Sequence, residues 1–208
     1  MTFDLPKIYP ITDAATSGLS HAEQVAKLIA GGARLIQLRE KHASPREIFE
    51  AANSAIQIAR KSGCRIIIND RVDIAFALKA DGVHLGQYDM PPEKAREILG
   101  PDAIIGFSTH SVEQAINASS LPIDYIAIGP IFETRTKADP DDVVGLEGLA
   151  EVRNTLRNFP LVAIGGITIE NINVVLNAGA DSAALISAIV SVPTKIEGCM
   201  RNFIDQTA

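Results

Sequence analysis

Eight short apolar runs alternate with amphipathic helical stretches along this 208-residue chain. That alternation predicts an α/β fold, a single (β/α)8 TIM barrel spanning residues 1–208. The runs are Lys7–Asp13, Leu35–Lys41, Arg65–Asp70, Gly82–Gln87, Ile104–His110, Tyr125–Pro130, Leu161–Ile167 and Ser182–Ile189. Strands joined by helices must be parallel, because each crossover needs room for the helix. An open doubly wound sheet is the rival, and it normally carries a glycine-rich turn after its first strand. Ile11-Thr12-Asp13-Ala14 offers none. Nothing along the chain reads as a linker, a low-complexity tract or a second domain.

The elements follow in order. After the first run, Ser20 stands three residues before Glu23, the spacing of a capping box, and Gly31-Gly32 stops the helix. After the second, Ser44 and Glu47 repeat the box around Pro45 at the first helical position, and Gly63 ends the helix. The third run centres on Ile66-Ile67-Ile68, an unbroken apolar stretch of the kind a buried strand carries. Pro91-Pro92 starts a helix after the fourth run, and Ser111 before Glu113-Gln114 starts one after the fifth. The sixth run leads into Thr134–Val144, a long charged stretch with Pro140 that reads as a binding loop or lid. Thr168 before Glu170-Asn171 is read as the next helix start, and Gly179 as its stop before the eighth run.

Composition narrows the function. The chain is 47% hydrophobic and 21% charged, enough for a large core, and with 5% aromatics and no Trp that core should be aliphatic. A net charge of −6 argues against a nucleic-acid partner. No charged-apolar-small leader opens the chain and no apolar run nears membrane-spanning length, so a cytoplasmic protein without a membrane partner is expected. Cys64 and Cys199 form no metal-binding spacing and read as reduced thiols. Self-association into a homo-oligomer is left open.

In such a barrel, ligands bind at the C-terminal ends of the strands. There the second run presents Gln37, Arg39 and Lys41, which alternate and so share a direction. The third ends in Asn69-Asp70, the fourth leads to Gln87 and Asp89, and the fifth ends in Ser108-Thr109-His110. Thr134-Arg135-Thr136-Lys137 follows the sixth, Gly165-Gly166 the seventh, and Ser187 lies in the eighth. Two carboxylates beside two cations suit a magnesium–diphosphate site, since Asp oxygens fit that hard cation and phosphates complete its shell. The glycine pair and Ser187 look like a phosphate grip, so two phosphorylated ligands are implied. Each residue also has a plainer role. Asp70 and Asp89 could only cap helices, Arg39-Glu40-Lys41 could be a solvated ion cluster, and His84 could be a packed strand residue.

The strings QLREK, INDRVDIA, DGVHLGQYDMP, IGFSTHS, YIAIGPIFETRTK, AIGGI and GADSAALISAI closely resemble the thiamine-phosphate synthase (thiamine-phosphate pyrophosphorylase) family. The resemblance runs in order over nearly the whole chain. It implies two small-molecule substrates, hydroxymethylpyrimidine diphosphate and thiazole phosphate, joined with release of diphosphate in thiamine biosynthesis. By that resemblance Gln37, Arg39, Glu40 and Lys41 bind the pyrimidine diphosphate, with Asn69 and Ser108 beside it. Asp70 and Asp89 hold Mg2+. Thr134, Thr136, Gly166, Ile186 and Ser187 take the thiazole phosphate, and Lys137 takes the diphosphate. Arg39, Ser108 and Lys137 are the catalytic residues it implies. Glu133 departs from the family's usual Pro, and the loop at Ala138–Val144 is a charged variant.

The family is thought to react by loss of diphosphate from the pyrimidine methylene, then capture of the cation by the thiazole nitrogen. Such chemistry needs charge neutralisation and no general base, which matches a set without a nucleophile–histidine pattern. Two rivals remain at this stage. A thiazole tautomerase of the same barrel would carry a catalytic His where Pro130 stands, and a non-enzymatic phosphate-binding barrel is not excluded by fold.

Overall fold

A computed structural model describes residues 5–134 and 142–208. Eight parallel strands close a barrel in chain order: β1 (Ile8–Asp13), β2 (Leu35–Arg39), β3 (Arg65–Asn69), β4 (Gly82–Leu85), β5 (Ile104–Thr109), β6 (Tyr125–Ile128), β7 (Leu161–Ile164) and β8 (Ser182–Leu185). Closure is made where Ile8, Tyr9 and Pro10 pair with Ala183, Ala184 and Leu185. Around it lie α1 (Ala14–Ser17), α2 (His21–Ala30), α3 (Pro45–Ser62), α4 (Val72–Leu78), α5 (Pro92–Leu99), α6 (Val112–Ala118), α7 (Gly145–Leu156), α8 (Ile172–Asn177), α9 (Ser187–Val190) and α10 (Ile196–Gln206).

The helix starts at Ser20 and Ser44 form complete capping boxes, each serine accepting from the N3 backbone while Glu23 or Glu47 accepts from the serine N–H. Two expectations need correction. Thr168 opens a turn that runs into α8 rather than α8 itself: its N–H donates to Asn171 Oδ1 at 2.8 Å, its carbonyl accepts the Asn171 and Ile172 N–H groups, and α8 begins at Ile172. The eighth strand stops at Leu185 rather than Ile189, and Ser187 opens α9. Apolar sequence continues past both ends because the connections stay buried over the barrel, as Ile167 and Ile189 do.

Alternation along each strand builds two cores. Ile66 and Ile68 face outward with Ile36, Leu38, Val83 and Leu85 against helix residues such as Val25, Leu28 and Ile56. Ile67 faces inward with Tyr9, Ile11, Leu35, Ile104, Tyr125, Ala127, Val162 and Ala184. Burying one such isoleucine contributes about 1.5–3 kcal/mol. Both cores are largely aliphatic, with Phe107 and Phe203 in the outer one. The barrel interior contains two tyrosines, packed edge-to-face at 5.9 Å.

The N-terminal face is closed by one device used three times. Asp81, Asp124 and Asp181 each precede a strand and accept the N–H of Ile66, Ile105 and Leu161 in the strand before. Their own N–H groups donate to the carbonyls of the same three residues. Arg96 and Arg153 bind the second and third of these carboxylates and gather neighbouring loop carbonyls, while Arg60 holds the Leu78 and Lys79 carbonyls near the first. Clamping of this end leaves the opposite face for chemistry.

Candidate active site

A cavity of about 870 Å3 opens at the C-terminal ends of the strands. A smaller one of about 460 Å3 lies at the opposite face beside Lys7, Asn173, Asp181 and Thr207, and contains none of the expected residues. Gln37, Arg39, Lys41, Asn69, Asp70, Asp89, Ser108, Thr134, Gly166, Ile186 and Ser187 all line the larger cavity. Glu40 does not. Its carboxylate turns away, taking the His42 N–H at 2.9 Å and pairing with His21 Nε2 at 3.2 Å. Successive residues of an extended segment point oppositely, so bringing Arg39 and Lys41 to the cavity sends Glu40 to α2. Arg135, Thr136, Lys137 and most of the expected lid lie outside the described residues.

At the β2–β4 side, Lys41 Nζ donates to Asp70 Oδ2 at 2.5 Å and Arg39 Nη1 to Asp13 Oδ2 at 2.6 Å. Asp70 has φ +61°, an uncommon conformation outside glycine, and its N–H continues the ladder to the His84 carbonyl. It caps no helix: the residue at the start of α4 is Arg71, without a side-chain cap bond. Asp89 caps none either, since Pro91 occupies the start of α5. Instead Asp89 Oδ2 accepts the Gly86 N–H at 2.7 Å. Burial pushes the Asp89 carboxyl up from its ordinary value, and the neighbouring Asp70 carboxyl adds to that shift. Beside them the Asn69 side-chain nitrogen is buried with no hydrogen-bond partner among the described residues. An orphaned donor and two adjoining carboxylates are what a phosphate with its counter-cation would satisfy. Among the described residues no group of three or more His, Cys, Asp or Glu could hold a metal. Two carboxylates suffice for magnesium, which keeps waters and substrate phosphates in its shell.

The floor carries a buried polar chain. Gln37 Nε2 donates to Tyr9 Oη at 3.2 Å, Tyr9 Oη lies 3.0 Å from Tyr125 Oη, and Tyr125 Oη lies 3.0 Å from His84 Nδ1. His84 Nε2 then meets Ser108 Oγ at 2.8 Å. Burial drives the His84 imidazole down to about 4, so it is neutral and belongs to this chain. It drives the Tyr9 and Tyr125 phenols up, keeping them protonated. Gly106 makes the arrangement possible, because a Cβ there would sit 2.1 Å from Tyr125 Cζ and 2.5 Å from His84 Nδ1. At the β5–β6 rim, His110 Nδ1 lies 3.0 Å from the Gly129 carbonyl, which can only accept, so this nitrogen carries the proton.

The β7–β8 side is glycine-lined. Gly165 and Gly166, at φ +101° and +64°, turn the chain away from β7. A Cβ at Gly166 would meet the Glu133 carbonyl oxygen and Phe132 Cβ at 2.6 Å each. Close packing of the β6 loop thus demands this glycine in addition to any phosphate. Ile186, between β8 and α9, and Ser187, which opens α9, complete the wall. Tyr9, Tyr125 and Asp13 escaped the sequence reading. Their one signal was two tyrosines at inward strand positions of an aromatic-poor chain.

A profile described as thiamine monophosphate synthase matches residues 8–189. The chain is 47% identical over 185 residues to a thiamine-phosphate synthase of Clostridium novyi, covering 88% of this chain and 90% of the relative. It is 44% identical over 186 residues to one from Chloroflexus aurantiacus, with 89% and 85% covered. Among solved structures, a thiamine phosphate pyrophosphorylase from Pyrococcus furiosus superposes with a TM-score of 0.87 at 38% identity, over 96% of this chain and 94% of that one.

Proposed function

Because the chain belongs to the thiamine monophosphate synthase family, we propose that this cavity joins a pyrimidine diphosphate to a thiazole phosphate and releases diphosphate. Family membership makes the chain a transferase of thiamine biosynthesis. The observation that carries the residue assignment is the joint placement of Arg39, Lys41, Asp70, Asp89 and the unpartnered Asn69 amide on one side of the cavity. The glycine turn, Ile186 and Ser187 stand on the other.

Arg39 and Lys41 grip the diphosphate as fixed cations, and the Asn69 amide donates to it. Binding draws Lys41 from Asp70 toward phosphate oxygens. Magnesium, held by Asp70 and Asp89, would neutralise charge on the leaving diphosphate. Ser108 and Gln37, fixed at the two ends of the floor chain, orient the pyrimidine ring. The Gly165-Gly166 turn, Thr134, Ile186 and Ser187 receive the thiazole phosphate. Thr136 and Lys137 keep their expected contacts on sequence grounds alone. With Arg39 held in place by Asp13 and Lys41 at the cavity wall, stabilisation of the departing charge by fixed cations needs no proton transfer.

Steady-state turnover tests this assignment, with thiamine phosphate quantified at limiting and saturating magnesium. The assignment expects magnesium-dependent product from the parent chain and a loss of that dependence in Asp70→Asn and Asp89→Asn. Equal turnover in parent and variants at limiting magnesium would reject it.

A further inference from the structure

We propose that Asp13, at the end of β1, is a positioning residue that holds the Arg39 guanidinium in the orientation used to grip the pyrimidine diphosphate. The proposal rests on the reading of Arg39 given above.

Asp13 and Arg39 are register partners at the ends of β1 and β2, so the closed sheet sets their side chains next to each other. Asp13 divides its two oxygens. Oδ1 accepts the Thr16 N–H at 2.8 Å and caps α1, while Oδ2 accepts from Arg39 Nη1 at 2.6 Å. Its backbone is pinned as well: the Asp13 N–H donates to Gln24 Oε1 at 3.0 Å, and Gln24 is fully buried, its amide nitrogen donating to the Leu19 carbonyl. Apart from Arg39, the anchor is therefore held at two points, its Oδ1 and its backbone N–H.

Among the described residues, Asp13 is the one hydrogen-bond or ion-pair partner of that guanidinium. One nitrogen is consumed and the remaining edge of the fork stays available to the cavity that Arg39 lines. Arg carries many rotamers, and a bidentate grip on phosphate requires one of them. An anchor that selects this rotamer beforehand lowers the entropic cost of binding. A capping role explains Oδ1 alone. It leaves Oδ2 and its short bond to Arg39 without purpose.

A double-mutant cycle of Asp13→Asn and Arg39→Ala tests the coupling, reading KM for each substrate separately along with melting temperature. Asn keeps the cap and loses the charge, so Asp13→Asn should melt near the parent. Its KM for the pyrimidine diphosphate should rise roughly tenfold with the thiazole phosphate KM unchanged, and the double variant should match Arg39→Ala alone. Asp13→Ser, which also caps, should reproduce the effect. If Arg39→Ala leaves the pyrimidine diphosphate KM unchanged, the reading of Arg39 itself fails and takes the proposal with it. If Arg39→Ala raises that KM but the Asp13 variants do not, only the proposal fails. A lower KM in Asp13→Asn would overturn it, since the carboxylate would then act by opposing the anion. Additive effects in the double variant, or loss of folding in both cap-competent variants, would do so too.

Discussion

Replacing Tyr125 by Phe removes one buried oxygen and leaves the ring, which stacks on His84 at 5.5 Å and meets Tyr9 edge-on at 5.9 Å. That oxygen joins Tyr9 to His84, at 3.0 Å from each. Its loss leaves the Tyr9 hydroxyl, which keeps the Gln37 amide, and His84 Nδ1 each short of a partner at buried positions on the cavity floor. An unpaired buried polar group costs about 1–3 kcal/mol, so the pair should cost about 2–5 kcal/mol. For a domain of this size that is a fall in melting temperature of roughly 5–15 °C. Activity should suffer as well, because Gln37 and Ser108 at the ends of the chain line the cavity. The assay is thermal unfolding by circular dichroism, paired with steady-state kinetics in the pyrimidine diphosphate. A melting temperature within about 2 °C of the parent and an unchanged KM would show that the Tyr125 hydroxyl does not tie the chain together. The floor chain would then be four separate contacts rather than one network.

Asp70→Asn and Asp89→Asn should each lower turnover about a hundredfold or more. Their stability loss should stay below about 1 kcal/mol, because the Lys41–Asp70 pair is half-exposed and Asn tolerates the positive φ of Asp70. Gly166→Ala should raise the thiazole phosphate KM well above its effect on the pyrimidine diphosphate, and should also lower the melting temperature because its Cβ meets the Glu133 carbonyl. Equal rises in both KM values would remove the two-sided reading of the cavity. Burial pushes the Cys64 thiol up from 9.0 to about 12, with the Asp81 charge adding to the shift. A raised folded pKa means that its contribution is complete below pH 9 and is lost as pH climbs toward 12. Denaturant unfolding should therefore show a decline above pH 9 that is smaller in Cys64→Ala, and rapid labelling of native Cys64 at pH 8 would contradict this.

The barrel and most of its chemical wall were legible because both follow from local pattern. Alternation placed Ile67 inside and its neighbours outside, and residues beyond strand ends fell at one face whatever the details of pairing. Asp70 and Asp89 could be read as caps from sequence, and only the observed helix starts at Arg71 and Pro91 remove that reading. What stayed hidden depends on closure. Tyr9 and Tyr125 are 116 residues apart and meet because the sheet curls back on itself. Asp13 finds Arg39 through the β1–β2 register, and Glu40 leaves the cavity because His21 waits on α2. Gly166 was read from its permissive backbone toward phosphate. The contact that a side chain there would actually make, with the β6 loop, requires three-dimensional packing.

In the proposed reaction one cavity couples two phosphorylated substrates. Phosphorus NMR on the purified chain with both substrates and magnesium tests it directly, because the pyrimidine diphosphate, free diphosphate, thiazole phosphate and thiamine phosphate give separate signals. Free diphosphate and thiamine phosphate should rise together in a one-to-one ratio. Replacing both Asp70 and Asp89 by Asn should abolish both signals. Diphosphate release without thiamine phosphate, or undiminished turnover in the doubly substituted chain, would contradict it.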